Sequence, residues 1–201
     1  VVYVPEKVDA EDVKVRTTMN SRSLFNYTLV VAEESSSVTL LERQETGDDV
    51  EGNRYYSGLV EVAAGENAYV QYGSLQNLDQ TTYNYQLKEG VADTYGQVDF
   101  IDCNAGSRLS KSSVETHLEG DSSETKIVGA FYGHEDQHFD IDARVSHRNE
   151  NTTADLATRG VIDDRARSVY QAVQDVRRDA WNTSPYQREN TLLLCEASDA
   201  R

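Results

Sequence analysis

The chain has 201 residues, 38% of them hydrophobic, enough for one domain with a sizeable core or at most two small ones. With 35 acidic residues against 19 basic ones it carries a formal net charge of -16, which repels nucleic-acid phosphates and anionic lipid surfaces and sets those partners aside. The acids are scattered along the chain instead of gathered in a tail, the pattern of a hydrated surface suited to high salt.

The chain opens on a strand-like stretch, Val1 to Val4, without a basic region followed by an apolar one, and no run of 18 apolar residues occurs anywhere. A turn followed by alternation then repeats, at Ala32–Val38, Ala64–Val70, Glu89–Val98 and Glu119–Val128, with the closing valines 32, 28 and 30 residues apart. Gly, Asn, Asp and Ser supply the backbone freedom of a tight turn, and the alternation suits half-buried strands. Phe139, Ile141, Ala143 and Val145 continue the two-residue period. Strands recurring every 30 residues or so, with almost no helical pattern between them, predict an all-β solenoid, a parallel β-helix, ahead of a β-sandwich. Twelve tyrosines and only two prolines agree with pleated surfaces. From Asp163 to Arg177 the apolar residues permit either a helix or a strand.

The sharpest chemical pattern is His134-Glu135-Asp136-Gln137-His138, a literal H-E-x-x-H. Zinc peptidases need that pattern on a helix, with both imidazoles on one face. Here it falls between two strand patterns, so a bend is expected, with His134 in a solvated turn and His138 bonded to a neighbouring coil. Cys103 and Cys195 stand far apart with no C-x-x-C partner, which fits a reducing, cytoplasmic setting and small structural side chains. Asp163-Asp164 reads as a solvated turn before a cation site. The triplets starting at Asn26, Asn151 and Asn182 match the glycosylation pattern of secreted proteins, although such triplets arise by chance in polar chains.

An ordered series carries more weight than any single motif. It runs Gly133, Gln137, His138 and Asp140, then His147, then the block Arg159 to Tyr170 with Asp163, Asp164 and Arg167, and finally Gln187 and Asn190 leading into Leu192–Leu194. This series resembles the SufB/SufD family, which builds iron-sulfur clusters as a scaffold, and the block ending at Tyr170 looks like its SufD branch. The resemblance covers the chain nearly end to end and favours a strand over Asp163–Arg177. It implies a single right-handed parallel β-helix core over residues 1–201, in which the ten positions named above are structural or interface residues. It also implies a SufB-like paralogue joined through exposed strands, or a homodimer, and a SufC-like ATPase recruited through a helical C-terminal segment that this chain is expected to lack, as a fragment. No catalysis is implied, and no cofactor held by this chain; an iron-sulfur cluster is present transiently in the full complex. The family's cluster-associated cysteine or histidine lies downstream of Leu194, and a cysteine found in some SufB chains is Lys88 here. An extracellular β-helix acting on or binding polysaccharide is the alternative.

Overall fold

The computed structural model describes residues 1–47 and 51–201. The alternation becomes strands β1 (Val2–Val4), β2 (Asp9–Met19), β3 (Ser23–Ala32), β4 (Ser37–Thr46), β5 (Arg54–Ala64), β6 (Tyr69–Asn77), β7 (Thr82–Ala92) and β8 (Gln97–Asn104). They continue as β9 (Leu109–Leu118), β10 (Glu124–Gly133), β11 (His138–His147), β12 (Thr153–Ile162), β13 (Arg167–Val176), β14 (Ser184–Leu193) and β15 (Asp199–Ala200). Successive strands alternate between two sheets, the odd-numbered in one and the even-numbered in the other. Every pairing is parallel, so the chain winds as a β-solenoid of about seven turns, with no helix among the described residues. The stretch that permitted a helix forms β13.

Each coil buries its inward side chains against the coils above and below. Val38, Val70 and Val98 are direct partners in adjacent strands, as their spacing predicts. The column then continues through Thr125 and Ala154, whereas Val128 pairs with Ile101 and points outward, 39% exposed. Thr125 is itself fully buried, its hydroxyl donating to the Val98 carbonyl at 2.6 Å. A hydrogen-bonded threonine thus occupies the place that the pattern assigns to a valine three residues later, and three residues is an odd step that reverses the face. The next column inward stacks Leu40, Tyr72, Phe100, Ile127 and Leu156. Val30, Val62 and Ala64 close the same core from the opposite sheet.

At one end of the coils a second column, made of backbone, holds the stack in step. Lys7, Ser35, Asn67, Tyr95, Ser122, Asn151 and Asn182 all take positive φ, between 55° and 60°. Each of the first six donates its N–H to a carbonyl of the next turn, for example Asn67 to Thr94 at 2.9 Å and Asn151 to Trp181 at 2.8 Å. The asparagines add side-chain links, Asn182 to Asn151 at 2.8 Å and Asn151 to Asp121 at 2.7 Å. The hydroxyl that follows, on Ser36, Ser123 or Thr183, turns back to the carbonyl three residues earlier. The triplets starting at Asn151 and Asn182 are therefore the chemistry of a stacked turn.

Asparagine tolerates this left-handed conformation; tyrosine does not. Tyr95 holds φ 55° and is 60% exposed, so little packing offsets the strain. Tyr95→Asn is expected to stabilise the protein by about 1 kcal/mol, a rise of roughly 2–4 °C in Tm for a chain of this size. The reverse change, Asn67→Tyr, should lower Tm; thermal unfolding followed by circular dichroism measures both, and no change in either would contradict the strain.

Candidate functional site

Inward columns in a solenoid are expected to be apolar, and most here are. Across the middle coils they are not. One step beyond Leu40, Tyr72 and Phe100, the inward positions hold Glu42, Ser74 and Asp102, and β7 points Lys88 at them from the opposite sheet. Glu42 is 0% and Lys88 1% exposed, so the charges can persist only if partnered. They are. Lys88 Nζ donates to both Asp102 oxygens at 2.6 Å and to Ser74 Oγ at 2.9 Å, and Ser74 Oγ donates to Asp102 Oδ1 at 2.8 Å.

The Glu42 carboxylate accepts from Thr17 Oγ1 at 2.8 Å, from Asn26 Nδ2 at 3.3 Å and from the Tyr72 hydroxyl. Burial, reinforced by the nearby Glu42 charge, pushes the Tyr72 and Tyr56 phenols well above the usual tyrosine range, so both remain neutral, Tyr72 donating to Glu42 and Tyr56 accepting from Asn26 Nδ2 at 3.4 Å. Beside this charged layer lies an amide layer. Gln86 donates to Gln44 at 2.5 Å, Asn84 to Ser110 at 2.9 Å, and Gln76 to Ser107 at 2.8 Å. Together these groups form a polar stratum that links the two sheets through the interior.

A buried ion pair adds little over an apolar filling of similar volume, yet breaking it strands a charge. Lys88→Met is therefore expected to destabilise the protein by about 3–5 kcal/mol, and the double variant Lys88→Met with Asp102→Leu to recover most of that loss. Urea denaturation of the three proteins tests this. Equal losses in the single and double variants would show that the pair is not acting as a unit.

The residues of the sequence motif lie elsewhere. Gly133, Gln137, His138, Asp163, Asp164 and Arg167 meet where the β10–β11 and β12–β13 turns stack. Gly133 accepts the Asp163 N–H at 2.8 Å, Arg167 N–H donates to the Gln137 carbonyl at 2.9 Å, and Asp164 Oδ2 accepts from the Glu135 N–H at 2.9 Å. A Cβ at Gly133 would stand 2.9 Å from Ile162 Cδ1 and 3.0 Å from Phe139 Cε2, so a larger residue there would have to push these core side chains aside. Buried Gln137 clamps the bend, accepting from the His134 N–H at 2.9 Å and donating to the Ser107 carbonyl at 2.8 Å. The H-E-x-x-H match is thus a turn between strands. His134 stacks on Tyr132, and His138 begins β11 with its N–H on the Arg108 carbonyl at 2.9 Å. Among the described residues no group of three or more His, Cys, Asp or Glu side chains is placed to hold a metal ion.

Asp140 faces outward and shares Lys111 with Asp142, at 2.8 and 2.5 Å. Gln187 and Asn190 are exposed on β14, beside Leu156 and Arg159. Cys195 is exposed after β14, and Cys103 sits partly buried in β8, its thiol pushed up by burial and by Asp102.

His147 is 0% exposed at the far end of β11. Gln174 donates to the Tyr186 carbonyl at 2.9 Å, which turns its amide oxygen toward His147 Nε2 at 3.1 Å. Nε2 therefore carries the proton, and Nδ1 accepts from Thr152 Oγ1 at 2.8 Å. Burial holds the imidazole below its ordinary 6.5, against the opposing pull of the Gln174 bond and Asp175. The unfolded chain then takes up the proton first as pH falls, so stability present above pH 6.5 is lost below it. His147→Gln should flatten the fall of Tm between about pH 6.5 and pH 5. An equally steep fall in the variant would move the effect to other groups.

Charged residues at inward parity in alternating strands, Glu42, Lys88 and Asp102, are the signal that motif reading passes over.

Residues 15–201 match the family model described as "SUF system FeS cluster assembly, SufBD core domain". The chain belongs to the SufBD core family. It is 27% identical over 204 residues to the iron-sulfur cluster assembly protein SufD of Bacillus subtilis, covering 97% of this chain and 45% of that protein. It is 25% identical over 196 residues to SufB of the same organism, covering 96% and 42%. An iron-sulfur cluster assembly SufBD family protein of Staphylococcus saprophyticus is 24% identical over 196 residues, again 96% and 42%. The chain thus spans less than half the length of these relatives. Its solenoid matches both branches at similar identity, and no helix among the described residues is long and apolar enough to cross a membrane.

Proposed function

We propose that this chain is the β-solenoid core of a SufD-type scaffold subunit in a Suf iron-sulfur cluster assembly complex. The observation that carries the reading is the SufBD core match over residues 15–201. Lys88 supports the branch: where some SufB chains place a cysteine, this chain buries an ammonium locked onto Asp102, and no thiol is available there. In this reading the full-length parent works in the cytoplasm, pairs with a SufB-like subunit and is driven by a SufC-like ATPase. The iron-sulfur cluster is cargo of the complex, and the subunit itself turns over no substrate. Backbone donors and acceptors at a solenoid's open sheet edge provide a physical route to such pairing.

Genetic replacement tests branch and function together. The full-length parent is expected to restore growth to a strain lacking SufD and to fail in a strain lacking SufB, and to co-purify with SufB and SufC when the three are co-produced. Rescue of the SufB-deficient strain alone would reverse the branch, and rescue of neither would overturn the reading.

A further inference from the structure

We propose that the outer face of the even-numbered sheet docks an acidic segment of a partner protein in the assembly complex, with an apolar side chain of that segment seated over Gly73. The inference rests on the scaffold reading and names a surface that reading does not use. Two adjacent outward rows cross the whole sheet, one through Leu41, Gly73 and Ile101, the other through Arg43, Leu75 and Cys103. From β2 to β14 neither row contains an acid, in a chain with 35 of them. Both rows instead carry cations toward their ends, Lys14, Arg16, Arg43, Arg159 and Arg188, around a centre of Leu41, Leu75, Ile101, Cys103 and Val128. Glu45, at the border, is held by Arg16 and Arg43.

The shape matches the chemistry. Gly73 leaves a gap between Leu41, 49% exposed, and Ile101, 41% exposed, and the groove over it has a volume of about 470 Å³ with Cys103 in its wall. Lys14 and one acid, Asp12, line the β2 side of the groove, and Arg43, Arg159 and Arg188 lie farther along the same two rows. An apolar groove with this local excess of cations on an otherwise acidic molecule is complementary to an acidic strand or helix that presents one large apolar side chain. A second copy docked through the same face would set Lys14, Arg43 and Arg159 against their own kind. A net charge of -16 opposes nucleic acid and anionic membranes.

Cys103 reports directly on the groove. The full-length parent is purified alone and in complex with its SufB-like and SufC-like partners, and maleimide labelling of Cys103 is followed by peptide mass spectrometry. The complex should slow labelling at least tenfold. Gly73→Leu, which fills the gap, and the pair Arg43→Glu with Arg159→Glu should each weaken association at least tenfold and reduce its dependence on salt, while Arg144→Glu on the other sheet leaves it unchanged; thermal unfolding confirms that all variants fold. A complex that forms while Cys103 labels at the free rate, or that tolerates these substitutions, overturns the docking surface and leaves the scaffold reading standing. Self-association of the parent through this face, seen by sedimentation, also overturns it. Failure to form any complex would sink the scaffold reading, and this surface with it.

Discussion

The structure depends on one constraint: each coil can bury its inward side chains only against the coils immediately above and below. With parallel strands roughly 4.8 Å apart, a residue's environment is set by its direct partners in two neighbouring strands. Register therefore decides everything downstream. The column of left-handed turn residues from Lys7 to Asn182 sets that register at one end of each coil, because its N–H groups reach the next turn only when the coils are aligned. The stacked turns at Gly133, Gln137, Asp163 and Arg167 do the same at the opposite end.

The buried stratum of Lys88, Asp102, Ser74 and Glu42 is best understood against that repetition. Apolar columns of valine and leucine pack nearly as well one coil out of place, since each coil offers similar surfaces. An ion pair does not. Moved one coil along, Lys88 would no longer meet Asp102, and that carboxylate would stay buried without its countercharge. The polar interior thus gives individual coils an identity that the apolar columns lack, at a cost in desolvation that its close hydrogen bonds offset.

The outer surface divides labour between the sheets. Acids are spread over the turns and both sheets, as at Glu61, Glu89, Asp140 and Asp142 on the odd-numbered one, while two adjacent outward rows of the even-numbered sheet hold only apolar, polar and cationic residues. A solenoid makes such a stripe cheaply, because one outward position per coil adds up to a continuous row. The stripe is separate from the open ends of the stack.

Much of this was legible without coordinates. Local chemistry determined the all-β character, the period near 30 residues, the turn at His134 to His138 and the in-register Val38, Val70 and Val98, because turn residues and two-residue alternation act over a few neighbours. The ordered motif residues pointed to the family; Gly133, Gln137, His138, Asp163, Asp164 and Arg167 lie where two turns stack, whereas Asp140, His147, Gln187 and Asn190 lie elsewhere on β11 and β14. What the sequence could not rank was which residue of the fourth repeat faces inward, since hydrophobicity favours Val128 and the ladder buries Thr125. Nor could it bring Lys88 to Asp102, or line up Lys14, Arg43, Arg159 and Arg188 across one face. Those juxtapositions join residues in different strands, and only the wound register, a property of the whole stack, brings them together.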